Sequence, residues 1–281
     1  MYIIFCTYFR VGMKRIVLLG LGLSLFFGMQ AGERKRIVSL AASITQNLYL
    51  LGANEQVVGC TRFCPTQPED SITVVADAVN VNMEKIVEMR PDIVLASTLT
   101  PPKVLDGLKR MGITTRRLPE PRNFEEICQQ FLSLGKLSGR EEAAKTIVIH
   151  SRSRLDSLKA RVSNRKPLKV FMEIGCNPLY TALPTSFMHD YIQQVGGKNI
   201  AQELDKAIVS KEFVVLQNPD VIFIVGMGIV GEEEMAKWKT LKDLQAVKTN
   251  RIFSLDSYIC SPTPETFVET VERLIQLMYN D

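Results

Sequence analysis

The side chains best suited to chemistry stand just after apolar, strand-like runs. Phe63 and Cys64 follow residues 56–61, Cys176 and Tyr180 follow 169–174, and Tyr258 and Cys260 follow 251–255. Loops at the carboxyl ends of parallel strands are where open α/β sheets receive ligands, so these six residues are expected to face one cleft. Cys64, Cys176 and Cys260 offer soft thiolate ligands for a bare metal; separate thiols or a bridge are the other readings. With Cys60 and Cys128 they make an odd set at irregular spacing once Cys6 is set aside, which is not a disulfide scaffold. An exported protein could still form one or two bridges.

Catalytic signatures are scarce. Gly226, Gly228 and Gly231 satisfy the Gly-x-Gly-x-x-Gly spacing of a dinucleotide site, but Glu232, Glu233 and Glu234 crowd the expected helix N-terminus where a pyrophosphate would sit. The unit also stands late in the chain, whereas that fingerprint opens its domain, so it reads as a turn above a strand. The two histidines, His150 and His189, belong to no His-Glu-x-x-His motif. Neither Gly-x-Ser-x-Gly nor Cys-x-x-Cys occurs, and the chain is read as a non-enzyme. His150 is expected to be structural, and His189 to stand in the first turn of a helix overlooking the ligand space.

The elements that must position these residues begin after a leader. Met13-Lys14-Arg15 is a short basic segment, residues 16–29 are mostly apolar, and residues 28–31 supply small residues for cleavage. Residues 1–31 therefore read as a signal peptide, with translation beginning at Met13. The apolar run is short of the roughly 20 residues a membrane span needs, and no Leu-x-x-Cys lipidation box precedes the cleavage point. A soluble periplasmic protein is expected. Removing Arg10, Lys14 and Arg15 from the 34 basic residues leaves 31 against 30 acidic ones, so the net charge of +4 belongs mainly to the leader. That balance gives no reason to expect nucleic acid as a partner.

The mature chain alternates strand and helix on both sides of one long helical stretch. Between Gly139 and Pro167 there is no glycine or proline, and Ala144, Val148, Ser151, Leu155, Leu158 and Val162 recur at spacings of three and four. Residues 138–166 are read as a linking helix of nearly 40 Å, between an N-terminal α/β lobe at 35–137 and a C-terminal one at 167–281. Ser43 is expected to cap a helix at 44–51, and Asn82 one at 83–89.

An internal repeat joins the halves. Residues 82–96 align without a gap to 210–224, so that Asn82 and Ser210, Glu84 and Glu212, Pro91 and Pro219, and Asp92 and Asp220 coincide. The two glutamates suit the helix dipole, and they equally suit a partner bearing two arginines.

From about Lys35 to Asp281 the chain resembles the substrate-binding proteins of ABC importers for cobalamin, ferric siderophores and haem. The resemblance rests on Arg36-Ile37-Val38-Ser39-Leu40 with Ser43-Ile44-Thr45, on Val57-Val58-Gly59-Cys60-Thr61, on Asn82-Met83-Glu84 with Arg90-Pro91-Asp92, on Gly196-Gly197-Lys198-Asn199-Ile200, and on Ser210-Lys211-Glu212 with Asn218-Pro219-Asp220. It implies two Rossmann-like lobes joined by one backbone helix, little hinge motion, and Glu84 and Glu212 docking on permease arginines. Thr61-Arg62-Phe63-Cys64-Pro65 and Gly175-Cys176-Asn177-Pro178-Leu179-Tyr180 look most like the cobalamin binders, where Phe63 and Tyr180 would pack on the corrin. The expected function is a monomeric receptor that captures a corrinoid or other metal chelate and delivers it to an ABC permease with its ATPase. Ser43, Arg62, Phe63, Cys64, Cys176, Tyr180, Tyr258 and Cys260 would contact the ligand, with no cofactor and no resident metal. The alternatives are a ferric siderophore or haem receptor of the same type, and a metal or redox protein using the loop cysteines.

Overall fold

A computed structural model describes residues 34–67, 70–77, 80–226 and 230–279. The expected signal peptide and its cleavage point lie outside them.

The first half runs β1 (Ile37–Ser39), α1 (Ala42–Leu50), β2 (Val57–Thr61), β3 (Thr73–Ala76), α2 (Met83–Glu88), β4 (Ile93–Ala96), α3 (Pro102–Arg110) and β5 (Thr115–Arg117). Its sheet is parallel throughout, in the order β3-β2-β1-β4-β5. Ile37, Val38, Val94 and Leu95 are fully buried, as strands covered on both faces require. Then come α4 (Phe124–Leu137) and α5 (Glu141–Val162). The second half runs β6 (Lys169–Cys176), β7 (Leu179–Thr181), α6 (Phe187–Gln194), β8 (Lys198–Asn199), α7 (Lys211–Gln217), β9 (Val221–Gly226), α8 (Val230–Lys239), α9 (Gln245–Lys248), β10 (Ile252–Asp256) and α10 (Pro264–Tyr279). Here β10-β9-β6 is parallel, β7 pairs antiparallel to β6, and β8 pairs parallel to it.

The linking helix is α5, with 22 residues and a length of about 33 Å, shorter than its breaker-free stretch allowed. Its buried residues are the six the spacing picks out: Ala144, Val148, Ser151, Leu155, Leu158 and Val162. It packs against α4 and α10. A Cβ on Gly135 of α4 would fall 2.5 Å from the Ala144 Cβ, so the close crossing of α4 and α5 needs glycine there. One apolar core runs from Ile37 and Leu95 of the first sheet through Phe131, Val148 and Phe267 to Val170 and Phe223 of the second.

Within that core an aromatic column joins the halves. Phe124 stands 5.1 Å from Phe267, Phe267 stacks on Tyr191 at 4.3 Å, and Tyr191 meets Phe187 edge-on at 5.9 Å. The Asp190 carboxylate of α6 accepts the Phe124 N–H at 2.7 Å, which ties the start of α4 to the second half. The cleft between the sheets is therefore braced by shared packing as well as by α5.

The repeat is visible as duplicated hydrogen bonding. Asn82 accepts the Lys85 N–H at 2.9 Å and Ser210 the Phe213 N–H at 3.3 Å, each capping its helix. Asp92 accepts the Arg36 N–H at 2.6 Å, and Asp220 the Lys169 N–H at 2.8 Å. Arg36 Nη2 donates to the Met89 carbonyl and Lys169 Nζ to the Gln217 carbonyl, at equivalent helix ends. Arg90 and Asn218 both hold φ at +46°, the left-handed turn out of each helix.

One expectation is corrected. Ser43 is not a cap: α1 starts at Ala42 with Ala41 in the cap position and no side-chain bond, which leaves Ser43 in the first turn. The segment after β2 turns through Arg62, Phe63 and Cys64 before it enters the edge strand β3. Tight turns over Thr240 to Leu244, through Leu241 N–H to Trp238 O and Leu244 N–H to Leu241 O, separate α8 from α9.

Candidate functional site

All five strands of the first sheet end at one cleft of about 300 Å³. Leu40 follows β1, Thr61 closes β2, Ala76 closes β3, Ser97 follows β4 and Glu120 follows β5, and each lines it. The chain leaves β1 toward β2 on one side and returns at β4 on the other, so the crevice opens at the reversal of strand order. Cys260 and Ser261, before α10, supply the wall from the second half. Asn47 of α1 donates from Nδ2 to the Pro262 carbonyl at 3.4 Å beside this wall.

Of the residues expected at the ligand, Ser43, Phe63 and Cys260 line this cleft. Phe63 is 61% exposed, a large ring without protein to cover it. Arg62 is exposed on the same turn, and Cys64 is buried beneath it. Tyr258 stands exposed two residues before Cys260. In the second half, Tyr180 lies on β7 with its ring over Gly175, where a Cβ would come within 3.2 Å of Tyr180 Cδ2. Cys176 lines a separate cavity of about 260 Å³ with Glu173 and Glu234. Arg62, Cys64, Cys176, Tyr180 and Tyr258 are thus not brought into the wall that holds Ser43, Phe63 and Cys260.

The acidic lining has no counterpart among the residues expected from sequence. Asp77 directly follows β3, and Glu120 lies three residues past β5. Glu120 is exposed at the cleft, and the water that neighbouring protein displaces from its carboxyl raises its pKa. Among the described lining residues none is basic. Their position after parallel strands was the available signal.

The thiolate metal reading loses its geometry. Among the described residues no three His, Cys, Asp or Glu side chains stand together in a metal-holding group. Cys64 instead sits among hydroxyls: Thr45 Oγ1 lies 3.1 Å and Thr61 Oγ1 3.3 Å from its sulfur. The dinucleotide spacing includes Gly228, outside the described residues. Gly231 has a packing reason, because a Cβ there would fall 2.5 Å from Ser254 Oγ. His150 is exposed on α5, whereas His189 is half-buried with Nδ1 3.1 Å from Asn199 Nδ2. Burial holds the His189 pKa below its usual value. Glu84 and Glu212 are exposed in the first turns of α2 and α7. Hydrogen bonding from Ser210 lowers the Glu212 pKa.

Comparison with known proteins agrees with this architecture. The uncharacterised ABC transporter substrate-binding lipoprotein YvrC of Bacillus subtilis is 29% identical over 260 residues, covering 89% of this chain and 81% of the relative. The vitamin B12-binding protein of Vibrio cholerae is 26% identical over 245 residues, covering 85% and 87%. The crystal structure of a possible iron-binding periplasmic solute-binding protein from Staphylococcus epidermidis superposes with a TM-score of 0.76 at 28% identity, over 88% of this chain and all of that one. The model of the family described as periplasmic binding protein matches residues 37–259. The chain belongs to that family of extracytoplasmic substrate-binding proteins.

Proposed function

We propose that this protein is the substrate-binding component of an ABC importer that captures a corrinoid of the cobalamin type between its halves. The observation that carries the reading is the lining of the first-sheet cleft, which combines an exposed aromatic ring, Phe63, with the carboxylates Asp77 and Glu120 and has no basic residue among the described lining. An apolar macrocycle face packs on such a ring. Peripheral amides, which carry N–H donors and no net charge, suit carboxylate acceptors. An anionic siderophore or the two carboxylates of haem would meet like charge there. Arg62, Tyr180, Tyr258 and Cys176 stand outside this wall and contact a ligand large enough to reach across to the second half. The similarity to the vitamin B12-binding protein of Vibrio cholerae supports the same choice.

Delivery proceeds by docking Glu84 and Glu212 on arginines of the permease, with no catalytic step by this chain. Equilibrium titration of the purified protein with cyanocobalamin, haem and a ferric siderophore tests the ligand. Saturable cyanocobalamin binding in preference to the other two is expected. Preference for haem or siderophore, or binding of none, overturns it.

A further inference from the structure

Leu99 is 88% exposed, more than any other large apolar side chain among the described residues, and it lines the same cleft as Phe63. A lone exposed leucine on an open surface needs no explanation, but one held out at a ligand-sized cleft does. Its turn is fixed by hydrogen bonds. The Thr100 N–H closes the turn on the Ser97 carbonyl at 3.3 Å, and the Leu99 N–H donates to Ser97 Oγ at 3.2 Å. Thr100, the next residue, is buried and anchors the far end of the turn. Arg117, the last residue of β5, pairs with Ala96 at the end of β4 and ties the same turn from its side. Its guanidinium donates from Nε to the Ser97 carbonyl at 3.3 Å, and from Nη2 to the Thr98 carbonyl and, at 3.4 Å, to the Thr100 carbonyl. A planar fork of N–H donors can hold several carbonyls of one turn, which a single ammonium does less firmly. Arg117 itself is not part of the cleft lining.

We propose that Leu99 is a second apolar contact for the ligand of this cleft, across β1 from Phe63, and that Arg117 is the positioning residue that holds it there. In the strand order β2 and β4 flank β1, so the Phe63 turn and the Leu99 turn leave strands two spacings, about 10 Å, apart. The inference rests on the corrinoid reading: a flat macrocycle lying across those strands covers both side chains, which the free protein leaves in water. Holding Leu99 out before the ligand arrives avoids the cost of ordering a slack loop on binding.

The test titrates wild type, Leu99→Asn, Arg117→Gln and the double variant with cyanocobalamin, haem and a ferric siderophore. Leu216→Asn, which alters another leucine at 84% exposure but on α7, is the control. Leu99→Asn should weaken cyanocobalamin about tenfold or more, the order set by burying one leucine against a ligand, and Leu216→Asn should leave it unchanged. Equal cyanocobalamin affinity in wild type and Leu99→Asn overturns the contact and leaves the corrinoid reading standing. If wild type prefers haem or siderophore, the corrinoid reading fails and the same variants are compared on the preferred chelate: a loss of about tenfold keeps the contact, and equal affinity removes it. Binding of none of the three by wild type overturns both. Arg117→Gln should weaken binding about threefold or more on its own and add nothing to Leu99→Asn, because it acts through that side chain. Losses that multiply overturn the positioning role. Hydrogen exchange of the ligand-free protein reads the hold directly: the Leu99 and Thr100 amides should exchange about tenfold faster in Arg117→Gln than in wild type. Equal exchange overturns the hold, whichever chelate the cleft takes.

Discussion

Replacing Asp190 by alanine should loosen the join between the two halves by a calculable amount. Asp190 is 6% exposed, and one carboxylate oxygen accepts the buried Phe124 N–H at 2.7 Å while the other accepts Gln194 Nε2 at 2.8 Å. Phe124 is the first residue of α4, so its N–H is one of the donors a helix cannot satisfy internally. Asn123 accepts the Glu126 N–H instead, and nothing on α4 replaces Asp190 for Phe124. A hydrogen bond to a charged acceptor contributes about 1.5–3 kcal/mol, and the carboxylate at a helix N-terminus roughly 0.3–1 more. The alanine variant should therefore lose about 2–4 kcal/mol of unfolding free energy. Asparagine keeps an acceptor and gives up the charge, so its loss should be about half as large. With a urea slope of roughly 3 kcal/mol/M, alanine shifts the midpoint down by about 1 M. Urea denaturation followed by circular dichroism at neutral pH reads both. A shift for alanine below a third of that value, or equal shifts for alanine and asparagine, would refute the assignment of this contact as a charged cap across the halves.

Two other residue sets give further expected outcomes. Glu173 is 1% exposed, and its acid range lies above the ordinary 4.5 because burial outweighs the Trp238 Nε1–H donated at 2.5 Å; Glu234 pushes it further up, and Lys211 and Lys237 pull it back. A carboxyl raised in the folded state stabilises fully below the unfolded value and loses that contribution as pH rises through the folded one. Glu173→Gln should therefore gain stability relative to wild type as pH rises above the ordinary carboxylate range, measured by thermal melts across pH; a constant difference would falsify this. The Glu84→Lys/Glu212→Lys double variant should bind ligand like wild type yet lose uptake in a reconstituted transport assay, and undiminished uptake would remove the proposed docking role.

Much of the fold was legible because single residues dictate it. Asn82 and Ser210 cap because their side chains reach a backbone N–H three residues on, and Pro91 and Pro219 keep α2 and α7 from running further. The α5 stripe was legible because burial on a helix repeats every three to four residues. The edge strand β3 was not: its four residues come soon after two prolines and draw their order from β2 alongside. Ser43 was misread because a serine before an apolar run suits a cap, yet the chain turns early enough for Ala42 to open α1. The acidic cleft lining was hidden because Asp77 and Glu120 are far apart in sequence and share a cleft only because β3 and β5, at opposite edges of the sheet, end on the same side of it.

The duplicated hydrogen bonds bear on function beyond symmetry. Asp92 and Arg36 tie the end of α2 to β1, and Asp220 and Lys169 tie the end of α7 to β6, each through the backbone of the innermost region of its own sheet. Each glutamate is thus fixed to a sheet rather than to a loop. The sheets are fixed to each other through the core that α4, α5 and α10 share, with Phe267 between Phe124 and Tyr191. Moving Glu84 relative to Glu212 would require parting packed aromatic rings and the Asp190 cap. Ligand capture should then change what lies between the two proposed docking carboxylates, chiefly the Phe63 turn, and leave their separation alone. A permease meeting such a protein would distinguish loaded from empty at the cleft mouth, not by the spacing of the two carboxylates.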